Sequence, residues 1–218
     1  MTIKNCYPLP LIQELIDKLK SSKVFSKMDI RWGYNNIRIK EGDEWKAAFR
    51  TNKGLFEPTV MFFGLTNSPA TFQAFMNHIL RDLINAGHVI VYMDDILVFT
   101  DTIEDHESIV REVLHILQEN NLYLKPEKCN FETNHIDYLG IIVGNGTVRM
   151  DPKKVLVLNT WPTPLKKRDV QSFLGFCNFF RCFIQGFSAI ARPLSQLTGN
   201  SKQSWGDKEQ LAFEELKL

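Results

Sequence analysis

The sequence predicts an α+β fold, a split βαβ arrangement whose antiparallel sheet carries two helices on one face, followed by a small helical domain. Three observations carry this prediction. Strand-like and helix-like patterns follow one another in the order strand–helix–strand–strand–helix–strand over the first two thirds of the chain. Two β-branched apolar runs, residues 88–92 and 96–100, flank Met93-Asp94-Asp95 and read as a hairpin. Trp161-Pro162-Thr163-Pro164 is a stiff, extended break, and beyond it the apolar spacing turns helical.

Taken in order, Leu11, Ile12, Leu15, Ile16 and Leu19 have helical spacing. Residues 24–29 read as a short strand. Ile37, Ile39 and residues 45–50 read as further strands around a Glu41-Gly42-Asp43 turn. Ser68-Pro69 is a helix start, because the hydroxyl accepts from an early N–H and proline fits the first turn. Phe72, Phe75, Met76, Ile79, Leu80 and Leu83 then continue an amphipathic helix to near Gly87. Thr102 and Asp105 cap a second one, with Ile109, Val113, Leu114 and Leu117 on its apolar face. Residues 138–143 and 147–150 read as a strand pair around Gly144-Asn145-Gly146. Asp151-Pro152 opens another helix, and residues 169–183 form a further one before a mixed tail.

The composition, 44% hydrophobic and 23% charged over 218 residues, is that of an ordinary globular protein with ample material for a core. Lys+Arg 26 against Asp+Glu 25 leaves a net charge of +1, so the total charge does not mark a nucleic-acid binder. Cys6, Cys129, Cys177 and Cys182 are too scattered for a disulfide framework, and no C-x-x-C pair offers a zinc site. They read as reduced thiols of an intracellular, non-secreted protein. No apolar run approaches the roughly 18 residues that span a bilayer, so no membrane partner is expected. The start, MTIKNCYPLP, has neither the basic nor the apolar region of a signal peptide.

Adjacent aspartates between apolar strands are costly, since each loses solvation and the two repel each other. A divalent cation removes both penalties, and hard carboxylate oxygens suit Mg²⁺. The competing reading of Asp94-Asp95 is an ordinary β-turn, which Asp favours. Asp29 stands at the end of its own strand. If that strand neighbours the hairpin, three carboxylates meet at one edge of the sheet, as two-metal phosphoryl transfer needs with ions ~3.5–4 Å apart.

Longer motifs surround these aspartates. Phe25-Ser26-Lys27-Met28-Asp29-Ile30 with Gly33-Tyr34, Phe63-Gly64-Leu65-Thr66-Asn67-Ser68-Pro69-Ala70-Thr71-Phe72-Gln73, and Tyr92-Met93-Asp94-Asp95-Ile96-Leu97 resemble motifs A, B and C of a reverse transcriptase. Leu122-Tyr123-Leu124-Lys125-Pro126-Glu127-Lys128-Cys129, Tyr138-Leu139-Gly140, Trp161-Pro162-Thr163-Pro164 and Val170-Gln171-Ser172-Phe173-Leu174-Gly175-Phe176 extend the likeness over essentially the whole chain. The set resembles the pol polyprotein of gypsy-type LTR retrotransposons. It implies a palm with partial fingers over residues 1–160, thumb helices over 161–204, and the start of a connection toward RNase H over 205–218.

By that resemblance Asp29, Asp94 and Asp95 are the catalytic metal ligands, with the Ile30 carbonyl beside them, for two Mg²⁺ ions or Mn²⁺ in their place. Tyr34 matches the steric gate against a 2′-hydroxyl. The other reading of this tyrosine is a half-buried strand aromatic. Trp32, Gly33, Phe63, Gly64 and Met93 complete the nucleotide pocket. Tyr138, Leu139 and Gly140 match the primer grip, Tyr92 matches a primer- or template-binding position, and Gln171, Gly175, Asn178 and Phe179 match the thumb face that follows the minor groove. That face has an ordinary packing surface as its alternative. Lys166-Lys167-Arg168 reads equally as a phosphate contact or a solvated charge run.

The partners implied are an RNA or DNA template with primer and dNTPs; oligomeric state and compartment stay open. Two departures precede motif B: Pro58 stands where the family commonly has an aromatic, and Phe62 where it has proline. The likeness also leads us to expect fingers residues that grip the triphosphate upstream and RNase H carboxylates downstream. Neither set is in this sequence, so turnover of this chain alone is expected to be low.

Overall fold

The computed structural model describes residues 2–10, 18–19, 21–199 and 204–217. The helix expected over residues 11–19 falls largely outside these; Lys18 and Leu19 are helical. Two compact units divide the chain: Met1–Tyr138 with Val143–Val148, and Leu139–Ile142 with Arg149–Leu218.

The first unit contains β1 (Val24–Asp29), the short strands β2 (Phe49–Thr51) and β3 (Gly54–Phe56), α1 (Ser68–Ile79), α2 (Arg81–Asn85), β4 (Val89–Tyr92), β5 (Asp95–Thr100), α3 (Ile103–Glu119), β6 (Asn130–Thr133) and β7 (His135–Tyr138). Four strands form one antiparallel sheet in the order β4-β5-β1-β6. Side chains alternate between the faces of a strand. Met28, Ile96, Val98, Val89 and Val91 therefore share one face, where they pack against Phe72, Met76, Leu80 and Leu83 and against Ile109, Val113 and Leu117 of α3. Full burial of each large apolar side chain contributes about 1.5–3 kcal/mol, so this layer carries the fold of the unit. The opposite face receives Lys27, Asp29, Tyr92 and Asp95 by the same alternation. Both helices thus lie on one side of the sheet, as the sequence predicts, and the carboxylates lie on the other.

Local chemistry sets the element boundaries. Thr102 Oγ1 accepts from the Asp105 N–H and donates to Asp105 Oδ2, so α3 starts where the capping pattern places it. The helix expected from Ser68 to Gly87 is two pieces, since Leu80 at φ −102°, ψ 14° leaves helical geometry between α1 and α2. The strands expected at Ile37, Ile39 and residues 45–50 are a correction. Arg38 makes one isolated bridge to Val60, Glu44–Ala47 is a 3₁₀ turn, and the chain reverses between β2 and β3. The Ile37 carbonyl accepts from the Met61 N–H and the Ile39 N–H donates to the Thr59 carbonyl, while at the following turn Glu44 accepts from the Gly42 N–H and Lys46 pairs with the Asp43 side chain.

The strand expected over residues 138–143 is also broken. Leu139 and Gly140 both have positive φ (54° and 82°), which makes them the centre of a two-residue hairpin turn from β7 to β8 (Ile141–Gly144). Asn145-Gly146 turns β8 into β9 (Thr147–Met150) in the same way, as its sequence predicts, and the order is β7-β8-β9.

In the second unit α4 (Pro152–Asn159), α5 (Lys167–Phe179), α6 (Phe187–Gln196) and α7 (Asp207–Glu215) enclose a core of Leu158, Val170, Phe173, Cys177, Leu194 and Phe213. Asp151 caps α4 by accepting from the Lys153 N–H. The core includes Leu158, so α4 packs with the helices that follow the Trp161–Pro164 break. Helices α6 and α7 stand where a mixed tail was expected; Pro193 inside α6 conceals its pattern. Among the described residues no helix is long and apolar enough to cross a membrane.

His106 ties α3 to the sheet. Its ring is fully buried, with Nδ1 2.9 Å from Thr100 Oγ1 and Nε2 2.7 Å from Ser26 Oγ. Thr100 donates to the Thr102 carbonyl, so it accepts from Nδ1–H, and the Ser26 hydroxyl donates to Nε2. That chain needs a neutral ring, and burial lowers the His106 pKa accordingly. The unfolded chain therefore binds a proton below about pH 6.5 that the folded chain resists, and stability falls as pH drops through that value. Urea midpoints measured from pH 8 to pH 5 are expected to decline below about pH 6.5, and His106→Gln is expected to flatten that decline. An equal decline in the variant would assign it to other groups.

Candidate active site

The register of β1 against β5 sets Asp29 directly opposite Asp95, and Tyr92 opposite Asp95 across the β4–β5 hairpin. The Ile30 N–H donates to the Asp94 carbonyl at 2.9 Å, which fastens the hairpin tip to the end of β1. Two residues distant in sequence are thereby made neighbours of a third, which spacing could only propose. Asp29 is buried, while Met93, Asp94 and Asp95 are half-buried.

Lysines hold the carboxylates in this state. Lys125 Nζ lies 2.6 Å from Asp29 Oδ1, Lys128 Nζ lies 3.6 Å from Asp29 Oδ2, and Lys27 Nζ lies 3.5 Å from Asp95 Oδ1. The bond to Asp29 raises the Lys125 pKa. Burial raises the Asp95 carboxyl above its ordinary range; Lys27 pulls it down, and the charges of Asp94 and Asp29 add to the rise. Among the described residues no three acidic, histidine or cysteine side chains form a ready-made coordination cage. The donor set still suits a hard divalent cation, since carboxylate oxygens stand on neighbouring strands and at the turn between them.

Beside Asp94 lies an aromatic floor. Gly33 has φ 45°, a backbone conformation that favours glycine, and a Cβ there would stand in ordinary contact, 3.9 Å from Asp94 Oδ2. The Tyr34 ring is buried, 4.8 Å from Phe63 and 5.7 Å, edge-on, from Phe72. Its hydroxyl donates to Met93 Sδ at 3.3 Å, and burial together with Asp94 raises its pKa. Phe63 is 75% exposed and Trp32 58% exposed, with the Arg31 guanidinium over the Trp32 ring. Gly64 at φ 107° takes a backbone conformation that only glycine adopts without strain.

Tyr138 sits differently from the expectation that it meets a primer. It is 1% exposed, its hydroxyl has no hydrogen-bond partner among the described residues, and Lys27 Nζ lies 6.0 Å from its ring centre. Burial first, then Asp95 and Tyr92, pushes its hydroxyl far above the ordinary tyrosine range. Its ring is packing beneath the carboxylates, while Leu139 and Gly140 at the turn are half-buried.

On α5, Gln171, Gly175, Asn178 and Phe179 are all exposed, and Val170, Phe173 and Cys177 on the other side form the core. The predicted face is therefore not the packing face. A Cβ at Gly175 would meet nothing within 4 Å. Lys167 is engaged within the unit, donating to the Gly199 carbonyl at 2.8 Å.

Motif reading left three positions without a role: Lys27, Lys125 and Gln73. Lys27 was within reach, since it alternates with Asp29 on one strand face. The roles of Lys125 and Gln73 come only from contacts across the fold.

Residues 1–143 match the family described as reverse transcriptase (RNA-dependent DNA polymerase), and this chain belongs to that family. The chain is 34% identical over 214 residues to the Transposon Tf2-3 polyprotein of Schizosaccharomyces pombe, covering 98% of this chain and 16% of that protein. It is 36% identical over 221 residues to the retrovirus-related Pol polyprotein from transposon 297 of Drosophila melanogaster, covering 100% of this chain and 21% of the relative. It thus spans a fifth or less of the Tf2-type relative and about a fifth of the other. Among solved structures, a foamy viral protease-reverse transcriptase in complex with double-stranded DNA shares the fold, with TM-score 0.89 at 24% identity, over 99% of this chain and 38% of that one. A foamy viral protease-reverse transcriptase in complex with an RNA/DNA hybrid superposes with TM-score 0.85, also at 24% identity, over 99% of this chain and 29% of that one.

Proposed function

We propose that this chain is the palm and thumb of an RNA-directed DNA polymerase that extends a primer on an RNA or DNA template with dNTPs. The carrying observation is the register that sets Asp29 opposite Asp95, with Asp94 at the adjoining turn. In this reading Asp29, Asp94 and Asp95, with the Ile30 carbonyl, hold two divalent cations, Mg²⁺ with Mn²⁺ as a substitute. Bound there, the ions supply a lowered pKa at the primer 3′-hydroxyl and charge neutralisation on the leaving pyrophosphate. Lys125 and Lys27 balance the carboxylates in the metal-free protein and must release them when the site loads.

The remaining roles are those the family resemblance implies, and exposure and shape support some of them. Tyr34, walled by Phe63 and Phe72, stands under the sugar and leaves no room for a 2′-hydroxyl. Trp32, Gly33, Phe63, Gly64 and Met93 border the nucleotide. Tyr92 and the Leu139-Gly140 turn contact the primer end, and Tyr138 supports them from within. In this reading the palm ends near residue 148 and the thumb begins with α4, earlier than the boundary at 160 expected from the sequence, because Leu158 packs with the helices beyond Trp161–Pro164. Phe213 of α7 joins the same core, so residues 205–218 start the connection while packing with the thumb.

The exposed face of α5 tracks the duplex, which gives Gly175 a purpose that packing does not. Gly175→Ala is expected to stabilise the helix by about 0.5–1 kcal/mol and yet weaken template–primer binding several-fold. Urea midpoints and fluorescence anisotropy with a labelled duplex check both parts. A stabilised variant with unchanged affinity would remove this face from the interface.

Primer extension on an RNA template with dNTPs and Mg²⁺ tests the proposal as a whole. Incorporation that requires Asp94 supports it. Retained binding without incorporation would leave a catalytically silent element that only holds nucleic acid.

A further inference from the structure

Gln73 lies on α1, fully buried, on the helix that contributes Phe72 and Met76 to the apolar core. A buried carboxamide is costly unless its groups are bonded. Here Nε2 donates to the Val91 carbonyl at 3.0 Å and to Asn77 Oδ1 at 2.9 Å, while Oε1 accepts from the Met93 N–H at 2.7 Å. The Val91 carbonyl only accepts and the Met93 N–H only donates, so the amide has a single orientation.

The residue it holds is under strain. Met93 has φ 54°, in the left-handed region that favours glycine, which costs of order 1–3 kcal/mol for a bulky side chain. Strain of this kind persists where the surroundings over-determine it. Two side chains do so: Gln73 from the α1 side, and Tyr34, whose hydroxyl donates to Met93 Sδ. Asn77 backs the clamp in turn. Its Oδ1 accepts from Gln73, and its Nδ2 donates to the Tyr7 hydroxyl at 2.9 Å, so a polar chain runs from Tyr7 to the hairpin tip.

The geometry points to Gln73 as the positioning residue of the carboxylate-bearing turn: by bridging the Val91 carbonyl and the Met93 N–H, it holds Met93 at positive φ and so fixes Asp94 beside Gly33 and Tyr34. Glutamine suits this task because one side chain must offer a donor to the strand and an acceptor to the turn, about one amide width apart. A carboxylate lacks the donor, and an aliphatic chain lacks both. The catalytic value of the clamp rests on the polymerase reading, whereas the clamp itself does not.

Amide hydrogen exchange on the metal-free chain tests it, since no metal, nucleotide or nucleic acid enters the measurement. In Gln73→Met, which keeps the volume and removes both bonds, the Met93 amide is expected to exchange at least about tenfold faster. Ladder amides of β1 and β5, from Val24↔Thr100 to Met28↔Ile96, are expected to keep their protection. Gln73→Glu retains an acceptor opposite the Met93 N–H and is expected to recover most of the Met93 protection. Unchanged exchange at Met93 in Gln73→Met would overturn the proposal. So would an equal rise along the β1–β5 ladder, which is the signature of a packing residue. A Glu variant as unprotected at Met93 as the Met variant would overturn it too.

Discussion

Asp94→Asn is expected to lower primer extension by at least about 10³-fold, or about 4 kcal/mol of barrier, while leaving the metal-free fold as stable as before or more so. The two halves have one physical origin. Asp94 adds negative charge beside Asp95, whose carboxyl burial and like charges already raise. Removing that charge relieves repulsion in the metal-free protein and deletes a ligand in the loaded one. Asp29→Asn is expected to share the loss of activity but not the gain in stability. Asp29 is the partner of Lys125 at 2.6 Å and of Lys128 at 3.6 Å, and its loss leaves both ammonium groups uncompensated. Thermal melting without metal, Mn²⁺ binding followed by electron paramagnetic resonance, and primer extension separate these cases. An Asp94→Asn protein that binds Mn²⁺ as tightly as the native chain would remove Asp94 from the metal site.

Phe72→Ala is expected to cost about 3–5 kcal/mol and lower the melting temperature by roughly 6–20 °C. Phe72 is fully buried in the apolar cluster that holds Met28, Ile30 and Met76. It is also the inner wall of Tyr34, 5.7 Å away and edge-on. A variant that folds is therefore expected to admit ribonucleotides more readily, because the gate loses the surface that stops it from swinging inward. Phe63→Ala makes the comparison sharp. Phe63 lies 4.8 Å from the same tyrosine but is 75% exposed, so its removal is expected to change stability by less than about 0.5 kcal/mol. Denaturation curves with dNTP-versus-rNTP incorporation ratios read both effects. If Phe72→Ala and Phe63→Ala cost the same stability, the core assignment of Phe72 fails.

How much of this was legible beforehand differs from element to element. The β4–β5 hairpin, the Thr102 cap, the Asn145-Gly146 turn and the Ser68-Pro69 helix start are written in residues a few positions apart. Their physics is local: the Thr102 hydroxyl over an N–H, a φ preset by the Pro69 ring, a positive φ that Asn and Gly tolerate. The Ser68 hydroxyl, expected to accept from an early N–H, instead donates to the Phe62 carbonyl. The region around Gly42 misled for the same reason, because Glu44 and Asp43 bond their own backbone and neighbours in preference to a strand partner.

The sequence by itself determined the family, the three aspartates as a set, and the helix face carrying Gln171, Gly175, Asn178 and Phe179, since each is a pattern along one stretch of chain. Only the tertiary structure decided that Asp29 meets Asp95. A strand shifted by one residue would send Asp29 to the helix-covered face, and register depends on the whole apolar layer beneath it. It also decided that Tyr138 is buried, that Gln73 holds the turn and that Lys125 holds Asp29. These are contacts between segments far apart in the chain, and no spacing in the sequence encodes a distance across a fold.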